Sequence, residues 1–480
     1  MRAQILKAIL YIALLLAVFI AYQPLMEIDA NEPLTERGVA DPSGFDLSKE
    51  RARIHSIDWE YYPGHLYAPE DFASGNTIAP VYNVNENPAA FGTYRVTVLL
   101  PPGKTYGITG RSFLFSQRTF INGELAGVIG SPDISADATV PRTKMYAYYF
   151  TPRTGQTEVV FQVSNFQMKD GGGAYSFSVG EAPLIQSLRL HRQSGAMAEI
   201  GCLITVALLF AGMFIFFSRR RYFLWYAMLA LMIAVRSLVT GDKPIMEFVQ
   251  NLNWYAAIRM EYLSLILIVV FAVLYFRRLY PETMPGPVFG VLLGASAVYG
   301  LLVLVTKPLF FSMFNPYFAL VWVAGGLWVL VRLAWKIRTG GVERLSILLG
   351  MLCFMLAAVN DQLHYLFTFY PRFEDSITIG MLLFMYMNMI ALFFGFAKTE
   401  SELAQTRQKA ELLAAETEFY HKMSQDLLTP LTVVSTNIQV TGMAPEQAGE
   451  RLKESQAEIM RMAEMINKAL EDSPSGEGSL

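Results

Sequence analysis

Cysteine is nearly absent: Cys202 and Cys353 are the only two in 480 residues, and each lies inside an apolar run. That excludes a disulfide framework or a thiolate metal site in any exported segment and leaves both as core or lipid-facing side chains. Charge is scarce too, at 16% of residues against 53% hydrophobic, which excludes an ordinary soluble enzyme and makes a polytopic membrane protein the leading class. No basic excess exists: the net charge is −3, so a nucleic-acid surface is not indicated and no nucleic-acid partner is expected. A P-loop is missing as well. The glycines of "TGGVERL" and "KDGGGAYS" lack the Lys-Ser/Thr pair and the strand-to-helix setting, and read as turns.

What is present comes in blocks. Arg2 and Lys7 precede an apolar run, 8–21, so residues 1–22 read as a signal peptide or a signal anchor, with no clean small-residue cleavage site to decide between them. From 23 to 192 the chain turns to Gly, Pro, Asn and short alternating runs such as "TYRVTVLLP" and "TEVVFQVSNF". Alternation bounded by turn formers predicts half-buried strands, and many of them in one segment predict a β-sandwich. In "INGEL" the Asn122-Gly123 pair sits between two apolar runs, a hairpin signal because both residues tolerate positive φ.

Seven apolar runs follow within 198–397, at about 198–217, 222–239, 258–276, 288–305, 317–335, 345–367 and 377–396. Each is close to the ~20 residues that cross a bilayer as a helix. The basic loops 218–222, 276–282 and 335–345 alternate with loops poorer in Lys and Arg, which places them in the cytoplasm, the β domain outside and the C-terminus inside. Polar residues interrupt the runs: Arg236, Arg259, Glu261, Asn360, Asp361, His364 and Asn388. Such residues face the bundle interior and find partners. They read either as an interhelical packing cluster or as an outward-facing pocket that feels the β domain move. His364 has no second ligand at metal-binding spacing, so no metal site is expected. Neither paired broken helices nor an internal repeat supports a transporter.

Past Lys398 there is no Gly or Pro until Pro430, which reads as a kink within the first hairpin helix, and Gly442 to Pro445, which supply the turn; "KTESELAQTRQKAELLAAETEFYHKM" is rich in helix formers. Leu403, Thr406, Ala410, Leu413, Thr417, Tyr420, Ser424, Leu427, Leu431 and Val434 repeat at three-four spacing, the pattern of a parallel coiled coil. Residues 398–417 therefore read as a coiled-coil linker that dimerises the chain. A second amphipathic helix carries Leu452, Ile459, Met462, Met465, Ile466 and Leu470 on one face, and 473–480 is a polar tail.

Two resemblances rest on these segments. "DWEYYPGHLYAPEDF" (58–72), "GTYRVTVLLP" (92–101), "FINGEL" (120–125) and "VSNFQMKDGGGAYSFSVG" (163–180) resemble, in order, the extracellular jelly-roll sensor domain of bacterial seven-transmembrane receptors with diverse intracellular signalling modules. That family's domain is similar to carbohydrate-binding modules, which implies a small-molecule or glycan ligand. Trp59, Tyr61, Tyr62 and Asn165 are its candidate contacts, since aromatic faces stack on sugar rings and an amide reads hydroxyls; aromatics alternating in a strand are also ordinary core. The second resemblance covers 418–472: Phe419, Ser424, Asp426, Leu427, Thr429, Pro430 and Leu431 match the histidine box of HisKA-type sensor kinases, and two such hairpins form a four-helix dimer. It implies a response-regulator partner, proton transfer assisted at Asp426 and water positioning at Thr429.

Two departures qualify that resemblance. Gln425 stands at the phosphoacceptor position, and an amide has no ring nitrogen to form a phosphoramidate. His421 lies four residues earlier, ~6 Å along the axis, too far for in-line transfer built around position 425. In addition, no Asn-bearing helix and no D-x-G-x-G turn occur, so no cofactor is expected in this chain and ATP only through a catalytic domain supplied elsewhere. The sequence therefore predicts a multi-pass bacterial cell-membrane receptor: exported β-sandwich, seven-helix bundle, coiled coil and dimerisation hairpin, without kinase catalysis of its own. A truncated or substituted version of an active sensor histidine kinase is the alternative reading, and a non-signalling transporter or adhesion protein a further one.

Overall fold

The computed structural model describes residues 30–33, 35–56, 59–82, 89–111, 116–168, 176–217, 219–249, 252–335, 342–366, 376–443 and 448–471. The signal segment 1–22 and the tail 473–480 lie outside them. Two compact units result, 1–389 and 390–480.

Among the described residues twelve strands build the β domain. They are β1 (Ala30–Asn31), β2 (Thr35–Glu36), β3 (Val39–Ala40), β4 (Arg51–His55), β5 (Glu60–Pro63), β6 (Phe91–Leu99), β7 (Tyr106–Arg111), β8 (Ser116–Ile121), β9 (Glu124–Ile129), β10 (Met145–Phe150), β11 (Gln156–Ser164) and β12 (Ser176–Glu181), with a short α1 (Pro69–Ala73) after β5. One sheet runs β1-β4-β12-β7-β10; the other runs β2-β3-β6-β11-β8-β9, with β5 also on β6. Period-two alternation decides what lies between them. Tyr94, Val96 and Val98 of β6, Val159 and Phe161 of β11, and Phe177 and Val179 of β12 are nearly all solvent-free. The hairpin expected at Asn122-Gly123 joins β8 to β9, with φ of 51° and 83°. Asn122 also accepts a bond from the Glu158 N–H at 2.9 Å, tying the turn to β11.

No linker separates sandwich from membrane helix. β12 ends at Glu181 and α2 (Ala182–Gly212) starts at the next residue, with Pro183 in its first turn, where a missing N–H costs nothing. The sequence placed this switch at 192–198, because "IQSLRLHRQSG" is too polar to read as part of a span. Its apolar side still packs: Ile185 is fully buried, and a Cβ on Gly107 of β7 would lie 3.1 Å from Ile185 Cβ.

The remaining helices are α3 (Arg221–Val239), α4 (Ile245–Phe248), α5 (Trp254–Leu279), α6 (Gly286–Val305), α7 (Pro308–Trp335), α8 (Val342–Leu366), α9 (Ser376–Met443) and α10 (Ala448–Glu471). Among the described residues seven helices, α2, α3 and α5 to α9, are long and apolar enough to cross a membrane. The chain is thus a multi-domain membrane protein with an N-terminal β region. Their packing uses small residues where backbones approach closely. A Cβ on Gly380 would lie 2.6 Å from Ala357 Cβ, and one on Gly350 would lie 2.8 Å from Met387 Cβ, so α8 and α9 meet through both glycines.

Candidate functional site

On α9 the residues of the expected histidine box lie in one unbroken helix. Gln425, Asp426 and Thr429 are all exposed. Residues four apart share a face, so Gln425 sits between His421 and Thr429. The Gln425 Nε2 lies 3.4 Å from His421 Nε2, in reach for the amide to donate to the ring nitrogen. Pro430 is buried within the helix; lacking an N–H, it leaves the Asp426 carbonyl without its usual helical partner. Further along, the buried Asn437 clamps the hairpin: its Nδ2 donates to Glu454 Oε2 at 3.3 Å, and Arg451 Nη1 donates to its Oδ1 at 3.4 Å. The apolar seam is bare in the single chain. Leu403, Leu413, Tyr420 and Leu431 on α9 are exposed, as are Leu452, Ile459 and Ile466, spaced by seven on α10. Apolar stripes of this length fit a covering second hairpin.

In the bundle, the polar residues gather at the sandwich end of α3 and α5. Lys243 Nζ pairs with Glu261 Oε2 at 2.7 Å, with the lysine side chain only 5% exposed. Arg236 Nη1 donates to the Glu261 carbonyl at 3.1 Å. Arg259 turns elsewhere: its Nε and Nη2 donate to the carbonyls of Val303 and Thr306, at 3.2 and 3.3 Å, neutralising the C-terminal end of α6. Asn360 on α8 is half-buried. The side chains of Asp361 and His364 lie outside the described residues. Asn388, fully buried, accepts from the Tyr275 hydroxyl at 3.0 Å and donates to the Phe384 carbonyl at 2.7 Å.

The expected aromatic ligand face is not formed by the residues chosen for it. Trp59 is 1% exposed, stacked on Phe161 with centroids 5.7 Å apart and edged by Tyr94 and Phe177. It is the centre of the core, and its Nε1 makes no hydrogen bond there. Tyr61 stacks on Tyr94 at 4.5 Å on the same inner side. Burial raises the Tyr61 phenol to about 12. Tyr62 points to the opposite face, yet Tyr67 and Phe72 cover it, and its hydroxyl donates to Glu60 at 2.9 Å. Asn165 spends its amide on its own loop, accepting from the Gln167 and Met168 N–H groups and donating to the Met168 carbonyl. Strand alternation separates buried from open only when the covering segment is known, and here residues 65–73 cover half of the outer face.

Several contacts at the sandwich end of the bundle, one of them to the sandwich itself, escaped the sequence reading. Trp254, at the start of α5, donates from Nε1 to Thr143 Oγ1 at 3.1 Å, ahead of β10. Glu247 on α4 accepts from Gln193 at 2.7 Å and pairs with Arg189 at 3.4 Å, both on the stalk of α2. Glu199, lower on α2, accepts from the Ser237 hydroxyl of α3 at 2.7 Å. Glu199 was the one detectable signal: a carboxylate inside an apolar run demands a partner. The others lie in polar segments where nothing local distinguishes a contact from a solvated side chain.

Comparison with known proteins agrees with this layout. Residues 196–394 match the family model described as 7TM diverse intracellular signalling, and residues 415–478 match the His Kinase A (phospho-acceptor) domain. No curated protein and no solved structure matches the chain. The first match coincides with the seven apolar helices, and the second with the hairpin of α9 and α10, a domain type that dimerises and works with a two-component partner. The chain is therefore a multi-pass membrane sensor of the seven-transmembrane, histidine-kinase-like type.

Proposed function

We propose that this protein is a bacterial cell-membrane receptor whose β-sandwich faces outward, binds a small molecule or glycan, and controls a hairpin dimer that engages a response regulator without donating phosphate from position 425. The observation that carries the reading is α9, which runs without a break from the seventh apolar span through the Gln425 box. A change in tilt or rotation of that span is delivered along a continuous rod to the hairpin, and two hairpin arrangements of similar energy suffice for a switch. The loops rich in Arg and Lys support the orientation. Gln425 supports the absence of phosphotransfer, since neither its amide oxygen nor its amide nitrogen forms a stable phosphoramidate. Asp426 and Thr429, both exposed, remain available to a regulator and to a water attacking its phosphoaspartate.

The test uses the full chain in lipid nanodiscs. Wild type and Gln425→His are incubated with labelled ATP and the separate ATP-binding domain of a related kinase. Label on the His form alone is the expected result and marks a competent scaffold disarmed by one side chain. Label on wild type, mapped to His421, refutes the reading. A phosphorylated response regulator added to wild type then reports docking and dephosphorylation, with Thr429→Ala as the control that slows the second and spares the first.

A further inference from the structure

We propose that Arg118 anchors a ligand site on the outer face of the sandwich, taking a small organic carboxylate whose apolar body lies on Phe120, Leu125 and Val128. This deepens the receptor reading above and rests on it. The register defines the place. Tyr62, Thr93, Gln162, Arg118 and Val128 are successive cross-strand neighbours over β5, β6, β11, β8 and β9, and so lie on one face. Segment 65–67 covers the first half of this row: Thr93 Oγ1 donates to the His65 carbonyl and accepts from the Tyr67 N–H, both at 2.8 Å. Among the described residues the cover stops at Gln162. Beyond it Val128 is 49% and Leu125 56% exposed, so β8 and β9 form an open ledge beside a wall made by Leu66 and Tyr67.

On that ledge one cation stands apart. Arg118 is partly buried, and its Nη1 donates to Gln162 Oε1 at 2.7 Å. Among the described residues its other N–H groups meet no acceptor and no carboxylate. Its neighbour across the sheet is treated differently: Arg95 holds Glu158 at 2.7 Å and Glu60 at 3.0 Å. The acidic residue of β9, Glu124, pairs with Arg153 instead. Removing a guanidinium partly from water without a counter-charge is unfavourable, and folded chains ordinarily pair it. Arg118 is also held in place rather than left free. Gln162 is 3% exposed, and its Nε2 donates to the Tyr67 carbonyl at 2.9 Å and the Leu66 carbonyl at 3.4 Å, which turns its oxygen toward Arg118. With Nη1 fixed, the planar fork keeps two parallel N–H groups for a carboxylate. Phe120 lies two residues along on the same face, with Leu125 opposite it, so the charge is flanked by apolar surface. A carboxylate with an apolar portion satisfies both.

The experiment titrates full-length protein in nanodiscs with benzoate, hexanoate and glucuronate, and with neutral benzamide, read by saturation-transfer NMR. Wild type is expected to bind at least one carboxylate, with benzoate favoured over benzamide by about tenfold or more. R118Q should lose that preference. R118K, which keeps the charge without the fork, should weaken binding several-fold at unchanged melting temperature, and V128S should weaken benzoate and hexanoate more than glucuronate. Equal binding of benzoate by wild type and R118Q, or no saturation transfer from any of the three acids at millimolar concentration, overturns the site. An uncharged ligand that binds wild type and R118Q alike removes Arg118 from the account and leaves the receptor reading standing. A sandwich ligand that leaves the hairpin unchanged removes the receptor reading instead.

Discussion

Consider Gly380→Ala. The added Cβ would meet Ala357 Cβ at 2.6 Å, the Cys353 carbonyl at 3.3 Å and Phe354 Cα at 3.3 Å, two of the three being backbone atoms that cannot swing aside. Ordinary carbon contacts need about 3.5–4.0 Å, so α8 and α9 must part by about 1 Å at this crossing. Overpacking of that kind costs about 1–3 kcal/mol, while the better helix propensity of Ala returns up to about 1 kcal/mol. The net destabilisation is therefore about 0.5–2 kcal/mol. Gly350→Ala should behave alike, since Met387 Cβ at 2.8 Å and Phe384 backbone atoms obstruct it. Gly326→Ala meets Met355 Sδ at 2.5 Å and Cε at 2.7 Å, the far end of a flexible side chain, so the propensity term offsets most of the cost. A fluorogenic thiol dye in a Cys202→Ser background reads the opening of this contact directly, because Cys353 lies on it. Gly380→Ala and Gly350→Ala should each lower the midpoint by roughly 2–6 °C, and Gly326→Ala by less than about 2 °C. A Gly326→Ala midpoint lower than the other two would refute the packing account.

Other consequences can be measured. Glu261→Gln strands the buried Lys243 and should cost about 3 kcal/mol in thermal or denaturant unfolding, whereas Lys243→Met with Glu261→Gln recovers most of it; equal losses would deny the pair. Leu452→Lys with Ile459→Lys should convert the full-length dimer to monomer by mass photometry, and an unchanged mass would place the dimer contact elsewhere. Trp254→Phe removes the bond to Thr143, so hydrogen exchange should rise in 140–146 and 252–256 with the β6 and β11 core unaffected. Burial raises the phenols of Tyr61, Tyr62, Tyr146 and Tyr148 from the ordinary 10.0, Tyr61 to about 12. The folded state thus holds these protons more tightly: sandwich stability is full below pH 10 and is lost as pH climbs through the folded values. Phenolate absorbance should then rise together with loss of β-sheet circular dichroism, and titration of all tyrosines before unfolding would contradict the burial.

Most of the architecture could be read from period alone, because burial of an apolar surface repeats at two residues in β6 and fills whole windows in α3 or α6. Asn122-Gly123 could be read because positive φ is a local property. The site residues were harder. Trp59 and Phe120 look alike in sequence, an aromatic in or beside a short strand; the opposing sheet makes one core, and among the described residues no segment covers the face that carries the other. Arg118 and Arg95 likewise differ through residues 44 and 63 positions away, Gln162 and Glu158, which no window spans. Register decided both cases, and register is a long-range quantity.

The direct passage from Glu181 to Ala182 fixes an angular phase between sandwich and bundle. Each residue inserted after that joint would turn the domain by about 100° around the helix axis and lift it by about 1.5 Å. Thr143 would then face away from Trp254, while Arg189 and Glu247, both past the joint, would keep their pairing. Chimeras that graft another β domain onto these helices are accordingly constrained in length as well as in sequence: a splice of about one whole turn restores the facing but raises the domain by about 5.4 Å, and a single-residue offset changes the facing most, so on the receptor reading proposed above each offset should shift the resting state by a different amount.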